Sequence, residues 1–255
     1  PAQILVGIAA SNRFPVEAFE ELYEGIGHAC KHYGVDVVGG DTTSSHSGLV
    51  ISITAIGYGE KESLTKRSGA QPNDLLVLTG DLGGAYMGLQ VLEREHSVFL
   101  VNPNMQPEME GYDYILQRQL KPEARTDIRA KLQELGIQPT AMIDVSDGLA
   151  SEILHLADQS KVGFRLYEEK IPMDELTIMT ADEFNLNPSI AALSGGEDYE
   201  LLMTIAPSDY DKIKNHPDFT IIGHATEASE GCYLVLRGSN ELSKLTAQGW
   251  DAFLN

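Results

Sequence analysis

The chain has 255 residues, 42% of them apolar, enough for one large domain or two smaller ones with real cores. Its 38 acids against 18 bases leave a formal charge of -20, which argues against the basic face that nucleic acid requires. Two cysteines without ligand spacing give no disulfide framework or zinc pattern, and no apolar run is long enough to cross a membrane, so a cytoplasmic location is expected.

The chain opens on Pro1 rather than Met and enters an apolar run, Ile4 to Ala10, almost at once. That run predicts a strand, and further sequence is expected ahead of it. Pro15 is suited to open a helix. Phe19, Leu22, Tyr23, Ile26, Cys30 and Tyr33 recur at helical steps, predicting a helix from Val16 to Tyr33 that Gly34 stops. Val35 to Val38 predicts a short buried strand, and Gly39-Gly40-Asp41-Thr42-Thr43 a turn after it. Leu49 to Tyr58 partly alternates and predicts another strand. The polar stretch from Gly59 to Arg67 reads as a passage between units.

The pattern restarts near Asp74, with a strand at Leu75 to Leu78, a glycine-rich turn from Thr79 to Gly84 and a helix from Ala85 to Glu95. His96 to Tyr112 contains Pro103 and Pro107 and reads as an irregular excursion. Helices are expected at Tyr114 to Leu120 and from Pro122 to Leu135. Ala141 to Ile143 predicts a strand that runs into Asp144-Val145-Ser146-Asp147-Gly148, and a helix follows to about Ser160. Gly163 to Leu166, Glu200 to Ile205, Phe219 to Ile222 and Cys232 to Leu236 read as strands. Leu186 to Leu193 and Pro207 to Asn215 read as helices. The whole predicts an α/β chain of two units, residues 1–65 and 70–255.

Three segments share one form, an apolar strand followed by small residues and acids: Gly39 to Thr43, Asp144 to Gly148, and Gly195-Gly196-Glu197-Asp198. Glycine lets a ligand approach the backbone, and carboxylates are hard ligands suited to magnesium. Each segment alone could equally be a cap or a turn. Their repetition favours a metal site. Thr79 to Gly84 could cradle phosphate at a helix start or be an ordinary turn; it matches neither the P-loop nor the dinucleotide spacing. Arg67 could fork onto phosphate or be a solvated charge. Trp250 could stack on a heteroaromatic ligand or pack on the last sheet. His155 and Asp158 are too few for zinc, and the Gly-x-Ser-x-Gly elbow of acyl transfer is absent.

Val38-Gly39-Gly40-Asp41-Thr42-Thr43, Thr65-Lys66-Arg67-Ser68-Gly69-Ala70, Ile143-Asp144-Val145-Ser146-Asp147-Gly148-Leu149 and Gly195-Gly196-Glu197-Asp198-Tyr199-Glu200-Leu201 together resemble the thiamine-monophosphate kinase family. That family lies within the superfamily of aminoimidazole-ribonucleotide synthetase and selenophosphate synthetase. The resemblance implies direct in-line transfer of the ATP γ-phosphoryl to thiamine monophosphate, with magnesium. It implies an N-terminal half-barrel domain that binds ATP and metal and pairs in a homodimer, and a C-terminal α/β layered domain. It assigns Asp41, Asp144 and Asp147 as metal ligands and, with Arg67, as the catalytic set. Gly40, Asp41, Arg67 and Ser146 become ATP contacts. Glu197 or Asp198, with Trp250, becomes the thiamine side. Neither nucleic acid nor membrane is an expected partner.

Family members begin with a segment carrying further metal-binding aspartates, which would precede Pro1. Its absence from these 255 residues implies weak binding of magnesium and ATP and reduced or no turnover. The alternatives are another ATP-using enzyme of the superfamily, or a non-catalytic protein that binds nucleotide or a partner chain.

Overall fold

A computed structural model of the chain describes residues 1–247. It divides into two units, Pro1–Leu64 and Thr65–Asn255. The first unit begins with β1 (Gln3–Ala10), α1 (Val16–Tyr33), β2 (Asp36–Ser44) and β3 (Leu49–Ile56). β1 is central, parallel to β2 and antiparallel to β3. A parallel pair needs a crossover, and α1 supplies it. Ile4, Val6, Ile8 and Ala10 alternate along β1 and pack with Cys30, Phe19, Leu22 and Ile26 of α1. Gly34 ends α1 in the left-handed region, at φ 64°.

Two expectations change here. Gly39 to Thr43 is not a turn but the middle of β2, which is exposed along its length rather than buried. The register against β1 slips between Ile4 and Leu5, and Gly40 then lies opposite Val6. A Cβ at Gly40 would collide with the Val6 carbonyl, so only glycine lets the strands stay paired there. The half-barrel is also corrected. The sheet has three strands, is open, and carries its one helix against one face. Closing a sheet needs more strands, with matched tilt and stagger, about eight in small barrels.

The second unit holds a seven-stranded mixed sheet in the order β10-β9-β6-β8-β4-β7-β5. Its strands are β4 (Leu75–Thr79), β5 (Ala141–Asp144), β6 (Val162–Tyr167), β7 (Leu201–Ile205), β8 (Phe219–Glu227), β9 (Cys232–Val235) and β10 (Leu242–Lys244). Only β6 and β9 pair in parallel. Its helices are α2 (Gly84–Val101), α3 (Asp113–Leu120), α4 (Asp127–Glu134), α5 (Leu149–Ser160), α6 (Glu175–Glu183), α7 (Pro188–Ser194) and the short α8 (Tyr210–Ile213). Helix α2 continues six residues past Glu95, through part of the expected excursion, because Ser97 to Val101 offers no breaker.

Strand alternation sorts the second unit into layers. Leu76 and Leu78 of β4 face Leu149, Ile153 and Leu156 of α5, together with Phe164, Leu166 and Ile222. Val77, Met203 and Ile205 point the other way, onto Ile128 and Leu132 of α4 and Ile213 of α8. A separate cluster of Met87, Val91, Ile115, Ala181 and Ala191 ties α2, α3, α6 and α7 together. Strand β5 is the edge of the sheet, and the loops beyond its carboxyl end are the ones rich in acids. Among the described residues no helix is long and apolar enough to cross a membrane.

Candidate functional site

Strands β5 and β7 pair antiparallel, and the pairing continues past the end of β5. Val145 N–H donates to Glu200 O at 2.8 Å, Tyr199 N–H to Val145 O at 2.9 Å, and Glu197 N–H to Ser146 O at 2.8 Å. The turn from Asp144 to Gly148 and the loop from Gly195 to Glu200 are therefore one hydrogen-bonded structure. Gly196 makes the approach possible: its φ is 70°, and a Cβ there would sit 2.6 Å from Ser146 O. Glu197 and Tyr199 also have positive φ, 63° and 51°, although neither is glycine. Such backbone persists only where its surroundings over-determine it.

The alternation of the strands runs on through these loops. Asp147 and Glu197 are exposed, Asp144 and Ser146 partly exposed, and Val145, Asp198 and Glu200 buried. Arg67 joins the exposed set from another direction. Lys66 O accepts from Met142 N–H at 2.9 Å on the free edge of β5. Ser160 Oγ accepts from Gly69 N–H at 3.1 Å and Ala70 N–H at 3.2 Å, so the segment after Arg67 is pinned to the end of α5. Arg67 Nη2 then lies 3.9 Å from Asp144 Oδ1, an open, solvated pair that leaves the guanidinium free to turn to another anion.

Tyr199 shows how closely the acids gather. Its phenol donates to Glu197 Oε2 at 2.9 Å. Burial, that bond and the charges of Glu197, Asp144 and Asp147 push it up to about 12. Glu152, buried in the first turn of α5, accepts from Asp147 N–H at 3.2 Å and from Ser146 Oγ at 3.4 Å, both on Oε1. Burial raises its carboxyl above the usual range.

The inward acids form a second network. Asp198 accepts from Gly83 N–H at 2.8 Å and Ala85 N–H at 3.3 Å at the start of α2. The Thr79 to Gly84 turn therefore spends these donors on an internal carboxylate rather than on a phosphate cradle. Glu200 accepts from Thr79 Oγ1 at 2.6 Å, Arg118 Nη1 at 3.0 Å and Arg125 Nη1 at 2.6 Å. Arg118 Nη2 also donates to the carbonyls of Asp81 at 3.0 Å and Asp198 at 3.2 Å. Tyr114 donates to Asp81 at 2.7 Å. Burial pushes Asp198 up to about 6, despite the helix amides and Arg118. Burial would lower the Arg118 guanidinium, but the charges of Asp198 and Glu200 outweigh it and hold it up.

The structure thus brings Arg67, Asp144, Ser146, Asp147 and Glu197 together on the second unit. Asp198, one residue on, points inward. Gly40 and Asp41 belong to the first unit, on exposed β2, with Asp41 opposite Gly7 of β1. Trp250 lies outside the described residues. Glu152, Arg118, Tyr199 and Glu200 were not singled out from the sequence. Glu152 could have been found as an acid in the first turn of the helix that the motif opens. Arg118 carries no local signal, because its partners lie 37 to 82 positions away in sequence.

Among the described residues no three His, Cys, Asp or Glu side chains converge as a metal cage would. Magnesium, however, usually takes only one or two carboxylates and shares its remaining positions with water and substrate phosphates. Asp144 and Asp147, hard oxygen donors with open lone pairs, fit that partial role.

The family model described as AIR synthase related protein, N-terminal domain, matches residues 1–58, and its C-terminal domain model matches residues 71–234. The chain is 31% identical to thiamine-monophosphate kinase of Bacillus subtilis (strain 168) over 260 aligned positions, covering 99% of this chain and 75% of that one. It is also 31% identical to the thiamine-monophosphate kinase of Aquifex aeolicus, covering 99% and 74%. Among solved structures it resembles one described as AaThiL complexed with AMPPCP and TMP. The TM-score is 0.79 and the identity 30%, over 99% of this chain and 74% of that one.

Proposed function

Because the chain belongs to the AIR synthase related family, and within it to the thiamine-monophosphate kinases, we infer that it phosphorylates thiamine monophosphate with ATP to give thiamine diphosphate. The observation that carries this reading is the similarity over nearly the whole chain to a structure holding AMPPCP, an ATP analogue, with TMP. A terminal phosphate oxygen of thiamine monophosphate attacks the γ-phosphorus in line. The new P–O bond forms as the bond to the β-phosphate oxygen breaks, and ADP leaves. That oxygen is already ionised near neutral pH, so the step needs positioning and charge neutralisation rather than a base.

Arg67 forks onto the ATP phosphates, its pairing with Asp144 being weak enough to exchange. Asp144 and Asp147 would hold magnesium shared with those phosphates. Bound there, magnesium would offset the charge that builds on the phosphate oxygens. Ser146 donates its hydroxyl to the nucleotide, and Gly40 offers close backbone approach. Glu197, exposed and bonded to Tyr199, faces the cationic end of thiamine. Asp198 supports it by fixing the loop rather than by contact. Residues 1–65 are read as the remnant of the ATP- and metal-binding dimerisation domain and residues 70–255 as the C-terminal α/β domain, which carries Asp144, Ser146, Asp147 and Glu197.

Exposed Val37, Val38, Ile51 and Ile53 on the first unit's sheet support a homodimer. The use of ATP supports a cytoplasmic location. An acceptor panel tests the function. With magnesium and ATP, product is expected from thiamine monophosphate and none from unphosphorylated thiamine or ribose phosphates. Turnover of another acceptor in place of thiamine monophosphate would overturn the reading.

A further inference from the structure

We propose that Arg118 is the positioning residue of the acceptor-side loop, holding Glu197 in its left-handed conformation from behind. One guanidinium bridges two chain segments. Nη2 takes the carbonyl of Asp81, in the turn before α2, and the carbonyl of Asp198, next to Glu197; Nη1 takes the Glu200 carboxylate. Its charge also lies 3.6 Å from Asp198 Oδ1. The two residues that flank Asp198 are the ones with positive φ, at 63° and 51°. Neither has a glycine's freedom, so the conformation is imposed from outside. The bonds on the outward side, Glu197 N–H to Ser146 and Tyr199 N–H to Val145, fix only the amides. On the inward side the Asp198 carboxylate takes Gly83 and Ala85 N–H, and Arg118 adds the hold on the backbone by taking the intervening carbonyl.

The geometry is specific to a planar fork. Lysine gathers its donors on one nitrogen and lacks the two separated nitrogens that here serve the carboxylate and the carbonyls. Arg125 binds Glu200 as well, at 2.6 Å, but has no bond to the loop backbone. Arg118 therefore acts through position, not contact with substrate. The functional consequence rests on the reading that Glu197 meets the acceptor; the structural part does not.

Amide hydrogen exchange of the 255-residue chain tests the structural part. In Arg118→Lys, the amides of Glu197 and Tyr199 should exchange about tenfold faster or more, while those of Leu76 and Leu202 in the sheet core keep their protection. Equal loss at all four amides would make Arg118 a general stability element and overturn the proposal, and so would no change at Glu197 and Tyr199. Arg125→Lys, which touches the same carboxylate, should leave the Glu197 amide as it was. Kinetics test the consequence. Arg118→Lys should raise KM for thiamine monophosphate about tenfold and KM for ATP by much less, since Glu197 is displaced directly and Ser146 only through its carbonyl. A parallel rise in both would contradict the role. Turnover of an acceptor other than thiamine monophosphate would instead count against the proposed function and leave the exchange result standing.

Discussion

Glu197 and Asp198 are adjacent acids with opposite tasks. The first stands in solvent with a carboxylate open to a ligand, and the second is 2% exposed and caps the start of α2. The same division separates Asp147 from Glu152, five positions on, which holds the Asp147 amide from the buried side. The difference shows that acid content in a motif does not mark a binding site by itself. Local backbone geometry decides which carboxylates keep free lone pairs: alternation from Glu197 to Glu200, and the turn into helix α5 at Asp147 and Glu152. Outward acids should govern turnover, and inward acids should govern stability.

The strongest challenge to that division is Glu200→Gln. It leaves Arg118 and Arg125 facing a neutral amide in a buried place, and a broken buried pair costs about 3–5 kcal/mol. Urea denaturation should show a loss of that order. A stability change near zero would dissolve the contrast. Next, Asp147→Asn should lower turnover about 100-fold or more, the scale on which charge-stabilising groups act. Thermal unfolding should barely move, because the side chain is exposed.

pH separates buried Asp198 from Asp127, an exposed acid paired with Arg125 and Lys131. Asp198, raised by burial to about 6, binds its proton more tightly folded than unfolded. Its share of stability is present below about pH 4 and is lost as pH rises through about 6, at about 1.4 kcal/mol per unit at most. Asp127, held below the usual range chiefly by its hydrogen bond from Arg125, behaves oppositely. Its share is present above about pH 4 and is lost in acid. Unfolding free energies of Asp198→Asn and Asp127→Asn, each subtracted from the unsubstituted chain between pH 3 and 7, should slope in opposite directions. Parallel slopes would break the assignment. The smallest effect belongs to Asp158→Asn, which removes an exposed, solvent-screened pair with Lys161 and should leave the urea midpoint almost where it was.

Much of this organisation was legible before any coordinates. The helix from Val16 to Tyr33 has its periodicity and its stopping glycine in plain view, and observed and expected bounds coincide. The strand that ends at Asp144 was legible because a short apolar run, Ala141 to Ile143, meets a polar turn. Gly39 to Thr43 was misread because low strand propensity is overridden by pairing with β1, a tertiary fact. The barrel was an inference from resemblance that three open strands do not bear out. At the site, the sequence pointed to the acid-rich loops but could not say which acids face inward. That depends on φ at Glu197 and Tyr199, and on an arginine 80 positions from Asp198.

The central claim, that the outward acids serve phosphoryl transfer to thiamine monophosphate, is tested most directly by following label from γ-labelled ATP. The unsubstituted chain and Asp147→Asn should be compared with magnesium and thiamine monophosphate present. Label should appear in thiamine diphosphate with one ADP formed per product. In the variant its appearance should be slower by about 100-fold or more while the fold melts at an unchanged temperature. ADP released without labelled thiamine diphosphate, or equal rates in the two chains, would contradict the account.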